Sequence, residues 1–227
     1  MGKLTAIIDQ SDPRYVVLEL LNGQGSMSRK KVTYNNFLKL LQSSSEKDAT
    51  GIVVGRLPNG YYNACVSEDG FKVIVSVPAG IFPFQYFDDV FTIPFPRLVF
   101  KFTCRDGKVV ERVCYAAKDD ILTDQTELFH YPYANVYESG TICFGGNMLP
   151  ECSELADIDK VINIFYGAPS NNDLWKESYC GLKYPALRIA LQELNGKDAF
   201  PLDYLQPYIN GGHIKNVSSL LSDFTAQ

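Results

Sequence analysis

The sequence predicts an α+β fold, an antiparallel β-meander with flanking helices. Three observations carry that reading. An apolar stripe at helical spacing comes early, in Tyr34–Leu41. A run of short apolar segments punctuated by turn residues follows, from Gly51 to Ala116. Two further helical stripes come after residue 150, beyond an irregular stretch rich in tyrosine and glycine. Strands and helices segregated along the chain suit an α+β layer architecture rather than an alternating one.

The elements follow in order. Leu4–Asp9 and Arg14–Leu21 are β-branched runs separated by Ser11-Asp12-Pro13, and they read as a strand pair. Lys30–Thr33 reads as a third short strand beyond the Gly23–Ser26 loop. In Tyr34–Leu41, Phe37, Leu38, Leu40 and Leu41 form the buried face of an amphipathic helix. The meander opens with Gly51–Arg56. Asn59-Gly60 then turns the chain into Tyr61–Ser67. Glu68-Asp69-Gly70 turns it again into Phe71–Val77, which Pro78-Ala79-Gly80 ends. Pro94 and Pro96 belong at the start of the next strand, Leu98–Phe102, because proline cannot donate to a ladder. Asp106-Gly107 turns into Lys108–Ala116. Ser153 caps a helix reaching about Tyr166, with Glu154 and Asp157 at its positive end and Leu155, Ile158, Ile162 and Phe165 inward. Pro185 opens a helix through Leu194 that stops at Gly196, with Leu187, Leu191 and Leu194 on its inner face. From His213 the chain reads as a polar tail with an apolar cluster at Leu220, Leu221 and Phe224.

Composition narrows the function. Apolar residues make up 46% and charged residues 21%, ordinary for a globular protein. The net charge of -5 argues against a general nucleic-acid surface. No apolar run is long enough for a membrane span, and no signal-like core follows Met1. Six cysteines without a Cys-x-x-Cys pair, and two histidines, are poor material for zinc. The cysteines read as reduced and the compartment as cytoplasmic. No metal and no cofactor are expected, and no glycine loop of the phosphate-binding kind precedes a helix.

The chemistry gathers in Tyr131–Gly146, where one cysteine, Cys143, sits between aromatic and glycine-rich flanks. A thiolate is the nucleophile in cysteine chemistry, and a cysteine that carries acyl groups needs access above all. Gly140 before it, and Gly145-Gly146 after it, make an exposed loop plausible. Gly140 permits a turn that brings Asn135 back beside Cys143. Asn135 reads either as an amide donor to a developing oxyanion or as a residue that orders its own turn. Cys65, Cys104, Cys114, Cys152 and Cys180 lie in or beside apolar stretches and read as packing residues.

Asn135, Gly140, Ile142 and Cys143 stand in the register of the ubiquitin-conjugating (UBC) active-site motif, His-Pro-Asn, four residues, Gly, any residue, an aliphatic and Cys. Tyr133-Ala134 replace the usual His-Pro. With Tyr-Pro ahead of the asparagine and Cys-aromatic-Gly after it, the segment resembles a bacterial branch of that superfamily, the PRTRC system protein B group, also called prokaryotic UBC-like family D. The resemblance covers roughly Tyr34–Gly196. It implies a UBC-like domain over residues 34–199, an N-terminal strand extension at 1–33 and a C-terminal segment at 200–227. It also implies a carrier that accepts a ubiquitin-like β-grasp protein as a thioester on Cys143 and passes it to an amine. The implied companions are a ThiF-type activating enzyme and a JAB-type peptidase. Tyr133 takes the structural place of the motif histidine. Glu151, Glu154 and Asp157 follow Cys143 closely enough to orient an incoming lysine, although Glu154 and Asp157 also suit a helix start. Two other readings stay open. One is an inactive UBC-fold binding or scaffold module. The other is a cysteine hydrolase that pairs Cys143 with His130 or His213.

Overall fold

The structure is a computed structural model that describes residues 3–8, 14–21, 27–38, 55–176 and 184–225. The chain divides into two compact units, Met1–Val53 and Val54–Gln227. In the first unit β1 (Lys3–Ile8), β2 (Tyr15–Leu21) and β3 (Met27–Thr33) form an antiparallel sheet in sequence order. The expected strand pair is there, and the third strand starts three residues before the Lys30–Thr33 expected. A helical turn follows at 34–38, with Phe37 and Leu38 half-buried. Leu40 and Leu41 lie outside the described residues.

The second unit is built on a four-stranded antiparallel sheet. Its strands are β4 (Tyr61–Ser67), β5 (Gly70–Val77), β8 (Arg97–Arg105) and β9 (Lys108–Ala117), in that spatial order. The expected antiparallel pairing of Phe71–Val77 with Leu98–Phe102 is the β5–β8 pair, in which Val73 faces Phe102 and Val75 faces Phe100. The strand expected at Gly51–Arg56 lies partly outside the described residues, and Gly55 and Arg56 take no strand conformation.

Between β5 and β8 the chain makes a separate hairpin of β6 (Gly80–Tyr86) and β7 (Asp89–Phe95). Pro94 was expected at a strand start and instead lies inside β7, opposite Ile81. Pro83 lies in β6 opposite Thr92. A two-stranded ribbon tolerates both at positions whose N–H faces its outer edge, as that of Thr92, opposite Pro83, does. Asn195 and Gly196 end a later helix against this ribbon. The Thr92 N–H donates to Asn195 Oδ1 at 2.8 Å, and the Gly196 N–H donates to the Thr92 carbonyl at 2.9 Å.

Strand alternation gives the main sheet two apolar faces. Val73, Val75, Leu98, Phe100, Phe102, Cys114 and Ala116 face one side. There they meet Leu155, Ile158, Ile162 and Phe165, the predicted stripe, now split between a 3-10 turn (Leu155–Asp157) and α1 (Ile158–Gly167). The Phe165 ring stands edge-on to Phe100 at 5.5 Å. Each fully buried phenylalanine or isoleucine here contributes on the order of 1.5–3 kcal/mol by leaving water. α2 (Leu187–Leu194) buries Leu187, Leu191 and Leu194 in the same core, as its spacing indicated.

Ile74, Val99, Tyr115 and Ala117 face the other side, where Leu128, Val217 and Leu220 cover them. The segment expected as a polar tail is therefore structural. It forms a small ribbon, β10 (Ile209–Asn210) and β11 (His213–Ile214), and then α3 (Val217–Thr225), which packs on the sheet. The cap expected of Ser153 also runs differently. The Asp157 carboxylate accepts the backbone N–H groups of Ser153 and Glu154 at 2.9 and 3.0 Å, so the acid holds the start of the turn. No helix among the described residues is long and apolar enough to cross a membrane.

Candidate active site

Within Tyr131–Gly146, residues 135–143 fold as a tight hairpin laid along β9. The Cys143 N–H donates to the Asn135 carbonyl at 2.8 Å, and the Tyr137 N–H donates to the Thr141 carbonyl at 2.9 Å. Val136 pairs with Ile142 between them. Alternation then sorts the side chains. Val136 and Ile142 point into the core, at 5% and 0% exposure. Asn135, Tyr137 and Cys143 share the opposite, open face. The hairpin is fixed to the sheet by the Ile142 N–H donating to the Arg112 carbonyl at 3.0 Å and the Cys114 N–H donating to the Gly140 carbonyl at 2.9 Å. Arg112 Nε also donates to the Ile142 carbonyl at 3.1 Å, and its guanidinium lies over the Phe144 ring.

Gly140 makes the turn, as its place in the sequence indicated. Its φ is +84°, and a Cβ there would meet Tyr115 Cε1 at 2.5 Å. Position 140 thus needs glycine both for backbone conformation and for room. Beside it, the Ser139 carbonyl accepts hydrogen bonds from the hydroxyls of Tyr115 and Tyr208, at 3.1 and 3.3 Å.

Cys143 is half-buried, whereas Cys104, Cys114 and Cys152 are buried. Cys65 is also half-buried, and Cys180 lies outside the described residues. Burial pushes the Cys114 thiol well above its ordinary value. Cys143 opens into a cleft of about 420 Å³. Asn135, Tyr137 and Cys143 form one wall, and Gly145-Gly146-Asn147 form its end. The other wall is the stretch after α1, through Ala168, Pro169, Asn171, Asp173 and Leu174. A second depression, lined by Tyr137, Ser139, Leu174 and Lys176, shares Tyr137 and Leu174 with the first. The far wall is tied to β6, where the Ser170 N–H donates to the Gln85 carbonyl at 2.9 Å and the Phe87 N–H donates to the Ser170 carbonyl at 3.0 Å. Asn135 bridges the two walls, because its Nδ2 donates to the Pro169 carbonyl at 3.1 Å. Asn135 itself holds φ at +69°, a left-handed conformation that asparagine tolerates better than most residues.

The other expected site residues fall elsewhere. Tyr133 is a core residue, 3% exposed, whose hydroxyl donates to the Pro94 carbonyl at 2.5 Å. It ties the segment leading to Asn135 to β7. Asp157 is engaged by Ser153, Glu154 and, at 2.7 Å, Lys160. Glu151 lies over Gly107 and Glu154 over Gly55. None of these three acids lines the Cys143 cleft. The acid that does is Asp173, which spacing from Cys143 did not indicate. The Asn171 amide grips it, with Nδ2 donating to Asp173 Oδ2 at 2.9 Å and Oδ1 accepting the Asp173 N–H at 2.8 Å. His130 does not line the cleft either. Its ring stands edge-on to Tyr208 at 5.2 Å, and burial lowers its pKa below the ordinary histidine value. His213 is exposed in β11. Among the described residues no cluster of three or more His, Cys, Asp or Glu could hold a metal ion.

The hairpin thus presents a partly exposed thiol to an open cleft, with the Asp173 carboxylate on the opposite wall. The family model for prokaryotic E2 family D matches residues 75–208, and the chain belongs to that family. The match runs from the end of β5 through the Cys143 hairpin to the residues before β10. No curated protein and no solved structure matches the chain. Membership of an E2 family implies a ubiquitin-conjugating-like role, in partnership with a ubiquitin-like protein and an activating enzyme.

Proposed function

We propose that the protein is an acyl carrier of the ubiquitin-conjugating kind, with Cys143 as the thioester-forming nucleophile. The observation that carries this reading is the hairpin that sets Cys143 on an open face while its neighbours Ile142 and Phe144 are buried. In loading, the Cys143 thiolate attacks the carbonyl carbon of a thioester held on the activating enzyme. The C–S bond to that enzyme breaks, and its thiolate leaves. In discharge, an amine attacks the new thioester, a C–N bond forms, and Cys143 departs as thiolate. Asn135 keeps the two walls of the cleft together. Asp173 offers its carboxylate to the incoming ammonium or amine. An activating enzyme of the ThiF type and a JAB-type peptidase as companions rest on the resemblance to the PRTRC group, and finding genes for them beside this one would test that assignment.

The test mixes the protein with the activating enzyme, the ubiquitin-like protein and ATP, and reads a non-reducing gel. Wild type gives a band that thiol reductant removes. Cys143→Ala gives none, and Cys143→Ser gives a band that resists reductant, because an oxyester is less reactive than a thioester. Active partners with no reducible wild-type band would leave the protein a binding module.

A further inference from the structure

The residue expected to stabilise the oxyanion is partly committed elsewhere, because one of its two amide hydrogens is bonded across the cleft. Asn135 Nδ2 is engaged by the Pro169 carbonyl. A different donor stands at the thiol. The Tyr137 hydroxyl donates to Cys143 Sγ at 3.9 Å. We infer that Tyr137 is a catalytic residue of acyl transfer, its hydroxyl supplying the hydrogen bond to the oxyanion formed on a thioester at Cys143. This rests on the carrier reading of Cys143.

The hairpin geometry favours the assignment. Tyr137 pairs with Thr141, and Cys143 lies two residues further along the same face. Diagonal cross-strand neighbours on one face are within reach of an aromatic side chain. Tyr137 is 48% exposed, a large aromatic side chain held at the mouth of the cleft rather than in the core. The carbonyl oxygen of a thioester is one carbon away from the sulfur. A hydroxyl just outside contact with the sulfur can therefore lie about 2.7–3.1 Å from that oxygen, the window in which a donor stabilises developing charge. The hydrogen bond to Cys143 raises the Tyr137 pKa above the ordinary tyrosine value. A tyrosine hydroxyl, with an ordinary pKa of ~10, keeps its proton at neutral pH with or without that shift, as a donor must.

The step balances with no further reactant. The amine lone pair forms the C–N bond, and the C=O pair moves onto oxygen, where the Tyr137 O–H meets it. The ammonium proton is lost to water. The oxygen pair returns to re-form C=O, the C–S bond breaks, and the electron pair leaves on Cys143 Sγ. The same hydroxyl then faces the departing thiolate.

The experiment needs no cognate partner. Wild type, Cys143→Ala, Tyr137→Phe and Asn135→Ala are each acylated with an excess of the 2-mercaptoethanesulfonate thioester of acetyl-Gly-Gly. The loaded proteins are freed of reagent and given free lysine, and intact mass is followed with time. Wild type and Tyr137→Phe load on Cys143, and Cys143→Ala does not. Discharge from Tyr137→Phe is slower by ~10²–10³, the cost of one lost oxyanion donor, with an unchanged melting temperature. Discharge from Tyr137→Phe at the wild-type rate overturns the assignment and leaves the carrier reading standing. Slow discharge confined to Asn135→Ala returns the donor role to Asn135 and also overturns it. A wild type that takes no acyl group on Cys143 overturns both.

Discussion

Gly140 makes the turn that brings Cys143 back beside Asn135. An alanine there would hold a left-handed φ and drive its Cβ into the Tyr115 ring. Gly140→Ala should therefore cost about 1–3 kcal/mol in urea unfolding. Gly145→Ala makes a built-in comparison. Its φ is +57°, but nothing lies within 4 Å of the added carbon, so it should cost only about 1 kcal/mol. Equal losses would mean that the Tyr115 ring yields freely. The Asn135, Gly140 and Cys143 arrangement was legible in the sequence because a hairpin is local, and register alone brings its two ends together. Asp173 and Pro169 were not legible. They reach the cleft through the β6 edge, a tertiary contact that no spacing from Cys143 encodes. The place of Tyr137 had a readable signal, since it shares strand parity with Asn135 while Val136 alternates inward.

The start of α1 depends on one carboxylate. The hydrogen bond to Lys160 and those from the Glu154 and Ser153 N–H groups hold the Asp157 pKa below the ordinary carboxylate value. A depressed folded pKa means that the ionised form stabilises the fold. That contribution is complete above the unfolded value of about 3.9, and it is lost as pH falls through the lowered folded value. Asp157→Ala should cost ~1 kcal/mol at neutral pH, most of it from the two backbone bonds, since Lys160 is largely exposed. The gap between wild type and variant should close in acid. A gap that persists well below the carboxylate range would assign the loss to packing instead. The helices here were readable from their stripes. The β6–β7 ribbon was not, because two prolines break its pattern and its turn places Phe87 at φ +51°, a conformation usually signalled by glycine or asparagine. In α3 the signal was present, since Val217, Leu220, Leu221 and Phe224 recur at helical spacing.

The four-stranded sheet of the second unit is covered on both faces, and the C-terminal segment is one of the covers. Leu128 is fully buried in that smaller layer, beside Ile74, Val99 and Val217. Leu128→Ala should cost about 2–5 kcal/mol in denaturant unfolding. A loss under about 1 kcal/mol would mean that the layer collapses around the gap. The layer also reaches the active hairpin, because Tyr208, half-buried against Tyr115 at 4.7 Å, shares the Ser139 carbonyl with it. The antiparallel pairing of β5 with β8, and the turns that join β4 to β5 and β8 to β9, were legible because alternation and turn chemistry agree with each other. The second cover was missed although its apolar spacing was present, because a short stripe after Gly211-Gly212 does not say which surface it packs on.

β9 meets β8 along one side, and along the other the active hairpin and Phe129 take up its backbone groups from Arg112 to Ala116. An unpaired outer strand is a template on which other chains add, and it is a common origin of aggregation. Here the segment that holds the thiol also shields that strand. A change that loosens the hairpin would expose β9 as well as misplace Cys143, and such variants should precipitate on standing as well as lose thiol chemistry.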